Sequence, residues 1–281
     1  MFNKHPKGLI AAALANLGER FGFYTMMAIL VLFLQAKFGM NGKEAGFIYS
    51  TFYFSIYILA LVGGIIADKT RNYKGTIFTG IVLMAVGYLL LAIPSKTPVD
   101  NKMLYLVITC ASLFVIAFGN GLFKGNLQAL VGQMYDNPQY ANMRDSGFSL
   151  FYMFINIGAI FAPFAAVGVR NWWLSTFGYN YDADLPALCH GQLAGTLSPE
   201  ATETYHTLVT KASTAPVQDY TAFASDYLNV FTTGFHYAFG VAIIAMAISL
   251  TIYWLNKKNF PDPSKKTVAS SASSTVVEMS A

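Results

Sequence analysis

Charged side chains are scarce: Asp, Glu, Lys and Arg make up 11% of the 281 residues, against about 25% in a soluble domain. Cysteine is rarer still. Cys110 lies in an apolar stretch and Cys189 in a polar one, so one sits at membrane depth and the other does not, and a disulfide between them is not expected. No Cys/His spacing suited to a metal occurs. A basic stripe is also missing. The formal net charge of +4 is scattered over loops, which excludes a nucleic-acid footprint. Hydrolase signatures such as Gly-x-Ser-x-Gly and His-Glu-x-x-His are absent, and no histidine falls mid-span, so no catalytic residue and no cofactor is assigned. His236, near one end of the last apolar stretch, reads as an interfacial residue rather than a relay.

What is plentiful is apolar sequence: 55% of residues are hydrophobic and the mean hydropathy is +0.46. Six stretches are long enough to span a bilayer, at about 9–37, 45–67, 75–94, 103–133, 147–170 and 232–255. The first and fourth exceed the ~20 residues a span needs, so tilt or kinks are expected. Lys4, His5 and Lys7 before Ala11–Ala15 faintly resemble a signal peptide. The apolar run resumes straight after Arg20, however, so this stretch reads as a first span. The chain is therefore expected to be an all-α integral membrane protein in four segments. Residues 1–170 hold spans one to five, 171–231 an extracytoplasmic insertion, 232–256 span six, and 257–281 a cytoplasmic, linker-like tail.

Orientation follows from the basic residues. Lys4, Lys7, Lys69, Arg71, Lys74, Arg144, Lys257, Lys258, Lys265 and Lys266 fall on one side. Lys37, Lys43, Lys96, Lys102, Arg170 and Lys211 fall on the other. The richer side is expected to be cytoplasmic, with both termini inside and the protein in the cytoplasmic (inner) membrane. In the insertion, Ser198-Pro199-Glu200 reads as a helix start. A second short helix is plausible from Asp219 to Val230. A small outer cap and a loosely ordered loop both remain open. Trp172, Trp173 and Trp254 fit an aromatic belt.

Two charges stand in the middle of the first span, Glu19 and Arg20. On insertion scales a charge at that depth costs roughly 2.5–3.5 kcal/mol. It is tolerated when it faces a protein interior or a wet cavity and finds partners. Asn16, Glu19, Arg20, Phe23, Tyr24 and Met27 share one helix face. The fourth span adds Asn120, flanked by Gly119 and Gly121 that permit close helix approach, then Lys124 one turn on, and Gln128. Lys124 is the natural counter-ion for Glu19. The fifth span carries Tyr152 and Asn156, and the second Ser50, Tyr53 and Tyr57. These groups can converge on a central cavity with a Glu–Arg–Lys cluster, where a substrate carboxylate competing for the cations frees Glu19 to take a proton. A buried salt-bridge lock is the alternative. One positive charge is left over, which favours the cavity and an anionic ligand. A passive channel of the aquaporin type needs Asn-Pro-Ala turns, and here Asn137-Pro138 stands alone as a turn.

The run Asn16-Leu17-Gly18-Glu19-Arg20-Phe21-Gly22-Phe23-Tyr24 resembles the first-helix ExxERFxYY motif of the proton-dependent oligopeptide transporters, a family of the major facilitator superfamily. Gly119-Asn120-Gly121-Leu122-Phe123-Lys124-Gly125-Asn126 resembles its fourth-helix GNGLFKPN segment, and Phe151-Tyr152 with Ile155-Asn156 and Gly158 its fifth-helix FYxxINxG signature. Gly63-Gly64 to Asp68-Lys69 is similar to its basic turn after the second helix. The resemblance implies the N-terminal six-helix bundle of such a transporter, built as two inverted three-helix repeats. It implies import of di- and tripeptides with protons as the coupling ion and no other cofactor. Glu19, Arg20 and Lys124 would couple protons and bind the substrate carboxylate. Tyr24, Tyr57, Asn120 and Asn156 would line the peptide site and bind substrate together with Arg20 and Lys124. Asp68 either braces a cytoplasmic helix end as part of a gate or is a plain turn residue. The chain departs from the pattern at Asn16, where the motif has Glu, and at Phe23, Met27, Gly125, Ala60 and Ser50. The expected partners are peptides, membrane lipid, and a C-terminal six-helix half or a second copy of the chain. A truncated, non-transporting fragment is the alternative.

Overall fold

Short polar residues set where the helices begin. The computed structural model describes residues 4–261. Asn41 accepts from the backbone N–H groups of Lys43 and Glu44, and the Glu44 carboxylate accepts from the Asn41 N–H, a reciprocal cap that starts α2 (Gly42–Thr70). Asn72 opens α3 (Tyr73–Ala92) and Asn101 opens α4 (Lys102–Met134) by accepting from N–H groups of the first turn. Helix α1 runs Gly8–Phe38 and ends at Gly39. Helix α5 runs Arg144–Thr176. Two short helices follow, α6 (Leu185–Ala194) and α7 (Pro199–Ala212), the latter capped by Ser198 with Pro199 in its first turn. The last long helix, α8, spans Tyr220–Leu255 from an Asp219 cap.

Six of these helices, α1 to α5 and α8, are long and apolar enough to cross a membrane. They match the six expected spans, extended by a few residues except the third, which is shifted by two. The exception is the last. The short helix expected at Asp219–Val230 and the span expected from 232 are one unbroken helix. The polar residues in its first turns bond sideways: Asp226 accepts from the Tyr179 hydroxyl at 2.6 Å and Asn229 from the Thr97 N–H at 3.1 Å. The linker-like tail beyond 261 lies outside the described residues.

The helix pairings repeat. Helix α1 packs on α5 and α8, α4 packs on α2 and α3, and α3 meets α8. Exchanging spans one to three with spans four to six maps this pattern onto itself, as two three-helix repeats require. Helices α2 and α5 carry many of the large exposed apolar residues, such as Phe47, Leu61, Phe161 and Phe164. These are the surfaces lipid or another bundle can cover.

The insertion is an ordered cap. Leu185, Cys189, Tyr205, Val209 and Ala212 are buried with Tyr227 of α8. Arg170, expected at the outer end of the fifth span, is buried near the end of α5 with its Cζ 3.6 Å from the Tyr181 ring centroid. His190 donates from Nε2 to the Ala36 carbonyl at 2.8 Å, tying the cap to α1. Cys110 and Cys189 are both free thiols. His236 is buried and donates from Nδ1 to the Leu91 carbonyl at 2.6 Å. Lys37, also expected outside, is buried and donates to the Ser95 and Lys96 carbonyls and to Thr97 Oγ1. The Lys37 and His236 contacts hold the cap end of the bundle to the last turn of α3, at Leu91, and to the loop that follows it, at Ser95 and Lys96.

Candidate functional site

Glycine on both sides of Asn120 lets α4 approach two neighbours at once. A Cβ on Gly119 would stand 2.7 Å from the Gly80 carbonyl of α3, and one on Gly121 2.5 Å from the Leu59 carbonyl of α2. With α4 held against both backbones, the Asn120 side chain turns toward α1. There its Nδ2 donates to Glu19 Oε1 at 2.7 Å.

Glu19 is fully enclosed, and Arg20 is 5% exposed. The two adjacent side chains fold onto each other. Arg20 Nη2 donates to Glu19 Oε1 at 2.6 Å, and Arg20 Nε donates to Oε2. This is a two-pronged guanidinium–carboxylate pair, the stronger class of ionic hydrogen bond. The guanidinium also lies over aromatic rings, its Cζ 4.8 Å from the Phe23 centroid and 5.9 Å from that of Tyr24. Asn16, one turn earlier, is buried.

Lys124 is not the partner of Glu19. Its ammonium stands 5.5 Å from the Tyr57 ring centroid, so α4 sends one polar group inward at Asn120 and another toward α2 one turn later. Tyr57, half exposed, donates its hydroxyl to Tyr53 at 3.0 Å. The anion that satisfies Lys124 in the sequence reading is already taken by Arg20, and the aromatic face is what the lysine meets instead. The half-buried edge of α1 is formed by Phe21, Tyr24 and Met27 rather than by Glu19. The polar face read from the sequence is therefore split: Glu19 and Asn120 face the bundle interior, and Tyr24, Tyr57 and Lys124 sit nearer the surface. Asn156 is exposed on α5 and not joined to the cluster. Asp68 is exposed and accepts from the Tyr73 hydroxyl, bracing the turn between α2 and α3.

One member escaped sequence reading. Tyr88 of α3 is fully buried and interacts electrostatically with both Glu19 and Arg20. Its signal was a lone hydroxyl in the apolar second half of the third span. Two buried polar atoms beside the ion pair have no hydrogen-bond partner, Tyr88 OH and Asn120 Oδ1.

A family model described as the POT family matches residues 74–280. The chain belongs to the POT family. POT family proteins are transporters, not enzymes. The matched region starts in α3, so the Glu19–Arg20 turn stands outside it. Among curated relatives, the chain is 34% identical over 185 residues to "Peptide transporter YePEPT" of Yersinia enterocolitica, covering 64% of this chain and 34% of that protein. It is 34% identical over 179 residues to "Dipeptide and tripeptide permease A" of an Enterobacter species, covering 63% and 32%. The chain thus spans about a third of the length of these relatives. A crystal structure of a peptide transporter POT in complex with sulfate superposes with a TM-score of 0.61 at 24% identity, covering 98% of this chain and 45% of that one. That likeness establishes the fold, a six-helix bundle of the kind seen in that transporter.

Proposed function

We propose that this chain supplies the N-terminal six-helix half of a transporter that imports di- and tripeptides with protons across the cytoplasmic membrane. The observation that carries the reading is the enclosed Glu19–Arg20 pair, in the middle of a helix that crosses the membrane, with Asn120 as a third member. A carboxylate kept from water by a single arginine is a site where a proton and a ligand anion compete. When a peptide carboxylate takes the guanidinium, Glu19 loses its countercharge and binds a proton. The family membership and the two relatives' names support peptides as the substrate class.

In this reading Glu19, Arg20 and Lys124 couple proton to substrate, and Arg20 and Lys124 hold the carboxylate end. Tyr24, Tyr57 and Asn156 line the path of the peptide. Asn120 serves Glu19 rather than open substrate surface, because its side chain is enclosed. Asp68 gates by holding the α2–α3 turn through Tyr73. Both termini are cytoplasmic. A second six-helix bundle, either a C-terminal half or another copy of this chain, closes the cavity, since alternating access rocks one bundle against another about a central site.

The test is uptake of a labelled dipeptide into vesicles holding this chain with a second six-helix half. Uptake driven by an inward proton gradient is expected to be lost in Glu19→Gln, while exchange of labelled for unlabelled peptide persists. Gradient-driven uptake that survives in Glu19→Gln overturns the coupling role.

A further inference from the structure

Every group touching the Glu19 carboxylate is a donor. Arg20 Nε holds Oε2, and Arg20 Nη2 and Asn120 Nδ2 hold Oε1. A proton arriving on either oxygen creates an O–H that faces a donor, and it needs an acceptor in place of that donor. Guanidinium carries no acceptor, so Arg20 cannot receive it. A primary amide carries both a donor and an acceptor, and Asn120 Oδ1 is buried with no partner of its own. It is two bonds from the nitrogen that already touches the carboxyl, so one rotation of the amide brings it there, whereas the Tyr88 hydroxyl makes no hydrogen bond to Glu19.

We infer that Asn120 is the positioning residue that lets Glu19 hold a proton: its amide turns over about the Cβ–Cγ bond when Glu19 is protonated, and Oδ1 accepts the new O–H. The inference rests on the proton-coupling reading of Glu19. A hydronium ion gives up one proton: one of its O–H bonds breaks, one O–H bond forms at Oε1, and a neutral water is left. Arg20 keeps Glu19 Oε2 as its acceptor and is left as a buried cation short of an anion. That state suits an incoming carboxylate. Asn120 thereby separates protonation from the dismantling of the ion pair.

The groups that bear on this titration are few. Arg20 and Tyr24 lie on α1, and Tyr88, its hydroxyl unpartnered, on α3. Lys124 of α4 and Tyr57 of α2 stand one turn further on. Helices α5 and α8 meet this stretch of α1 through Gly158 and through Ala245 and Ser249, none of which titrates.

The test is an infrared pH titration of the full chain in lipid vesicles with isotope-labelled asparagine. The Glu19 carboxyl band is assigned by its loss in Glu19→Gln. The Asn120 band is assigned by Asn120→Leu, or, if that variant does not fold, as the asparagine band that loses its pH response in Glu19→Gln. The expected result is that the carboxyl band and the Asn120 amide band change together with one midpoint. A carboxyl that titrates while the amide band stays still overturns the inference and leaves the coupling reading intact. A Glu19 carboxyl that does not titrate at all overturns both.

Discussion

A carboxylate with no contact to water stays ionised only while donors touch it. Glu19 has three such contacts, two of them from the adjacent arginine. Lysine cannot reproduce the two-pronged fit. Arg20→Lys is therefore expected to destabilise the bundle by about 1–2 kcal/mol, read as a lower thermal midpoint in detergent, and to weaken peptide binding. In the cap, burial pushes the Cys189 thiol up to about 12. At neutral pH roughly one thiol in 10⁵ is then ionised, so a maleimide is expected to label Cys189 only after unfolding, in a chain carrying Cys110→Ala. His190 gives the cap a pH response. Burial lowers its imidazole below the ordinary 6.5, and Lys102 acts in the same sense against the Ala36 hydrogen bond. Above 6.5 it is neutral in both folded and unfolded chain. As pH falls from there toward the folded value, the unfolded chain binds more protons and stability drops, then levels off. Thermal midpoints across that range should show the fall, and His190→Gln should flatten it.

At the scale of the element, glycine decides the site. Gly119 and Gly121 bring α4 against α3 and α2 and so aim Asn120 at Glu19. Gly121→Ala must separate two backbones and is expected to destabilise by about 1–3 kcal/mol, with a matching loss in Gly119→Ala, both read by thermal unfolding. Much of this was legible in sequence. Length and hydropathy mark six helices because a bilayer demands both. The charges at Glu19 and Arg20 mark the site because burial at that depth is costly. The Gly-Asn-Gly run marks the close approach. What was not legible was partner choice. Arg20 and Lys124 are both cations a sequence can offer to one carboxylate, and only the folded side chains show Arg20 curling back onto its neighbour Glu19 and Lys124 turning to Tyr57. Burial of Lys37 and His236 was hidden for a similar reason. Their partners are backbone carbonyls of the last turn of α3 and of the loop after it, which carry no sequence signature. The continuity of α8 was not legible either: Asp226 and Asn229, polar residues in its first turns, have partners that lie far away in sequence.

The whole molecule is one bundle with a repeated pairing scheme and an ordered cap on one end. Its exposed helices, α2 and α5, carry apolar surface together with Tyr53, Tyr57, Tyr152 and Asn156. A second bundle set against that face would enclose the tyrosines and Lys124 next to the Glu19–Arg20 pair. Coupling would then be a property of the assembled pair of bundles, with the proton held in this one. The most direct measurement is proton entry driven by peptide. Vesicles holding this chain with a second six-helix half are loaded with a pH-sensitive dye, and a dipeptide is added outside. The expected result is acidification of the lumen with the parent chain and none with Glu19→Gln, although that variant still binds peptide. Equal acidification in both, or none with the parent, would contradict Glu19 as the proton carrier.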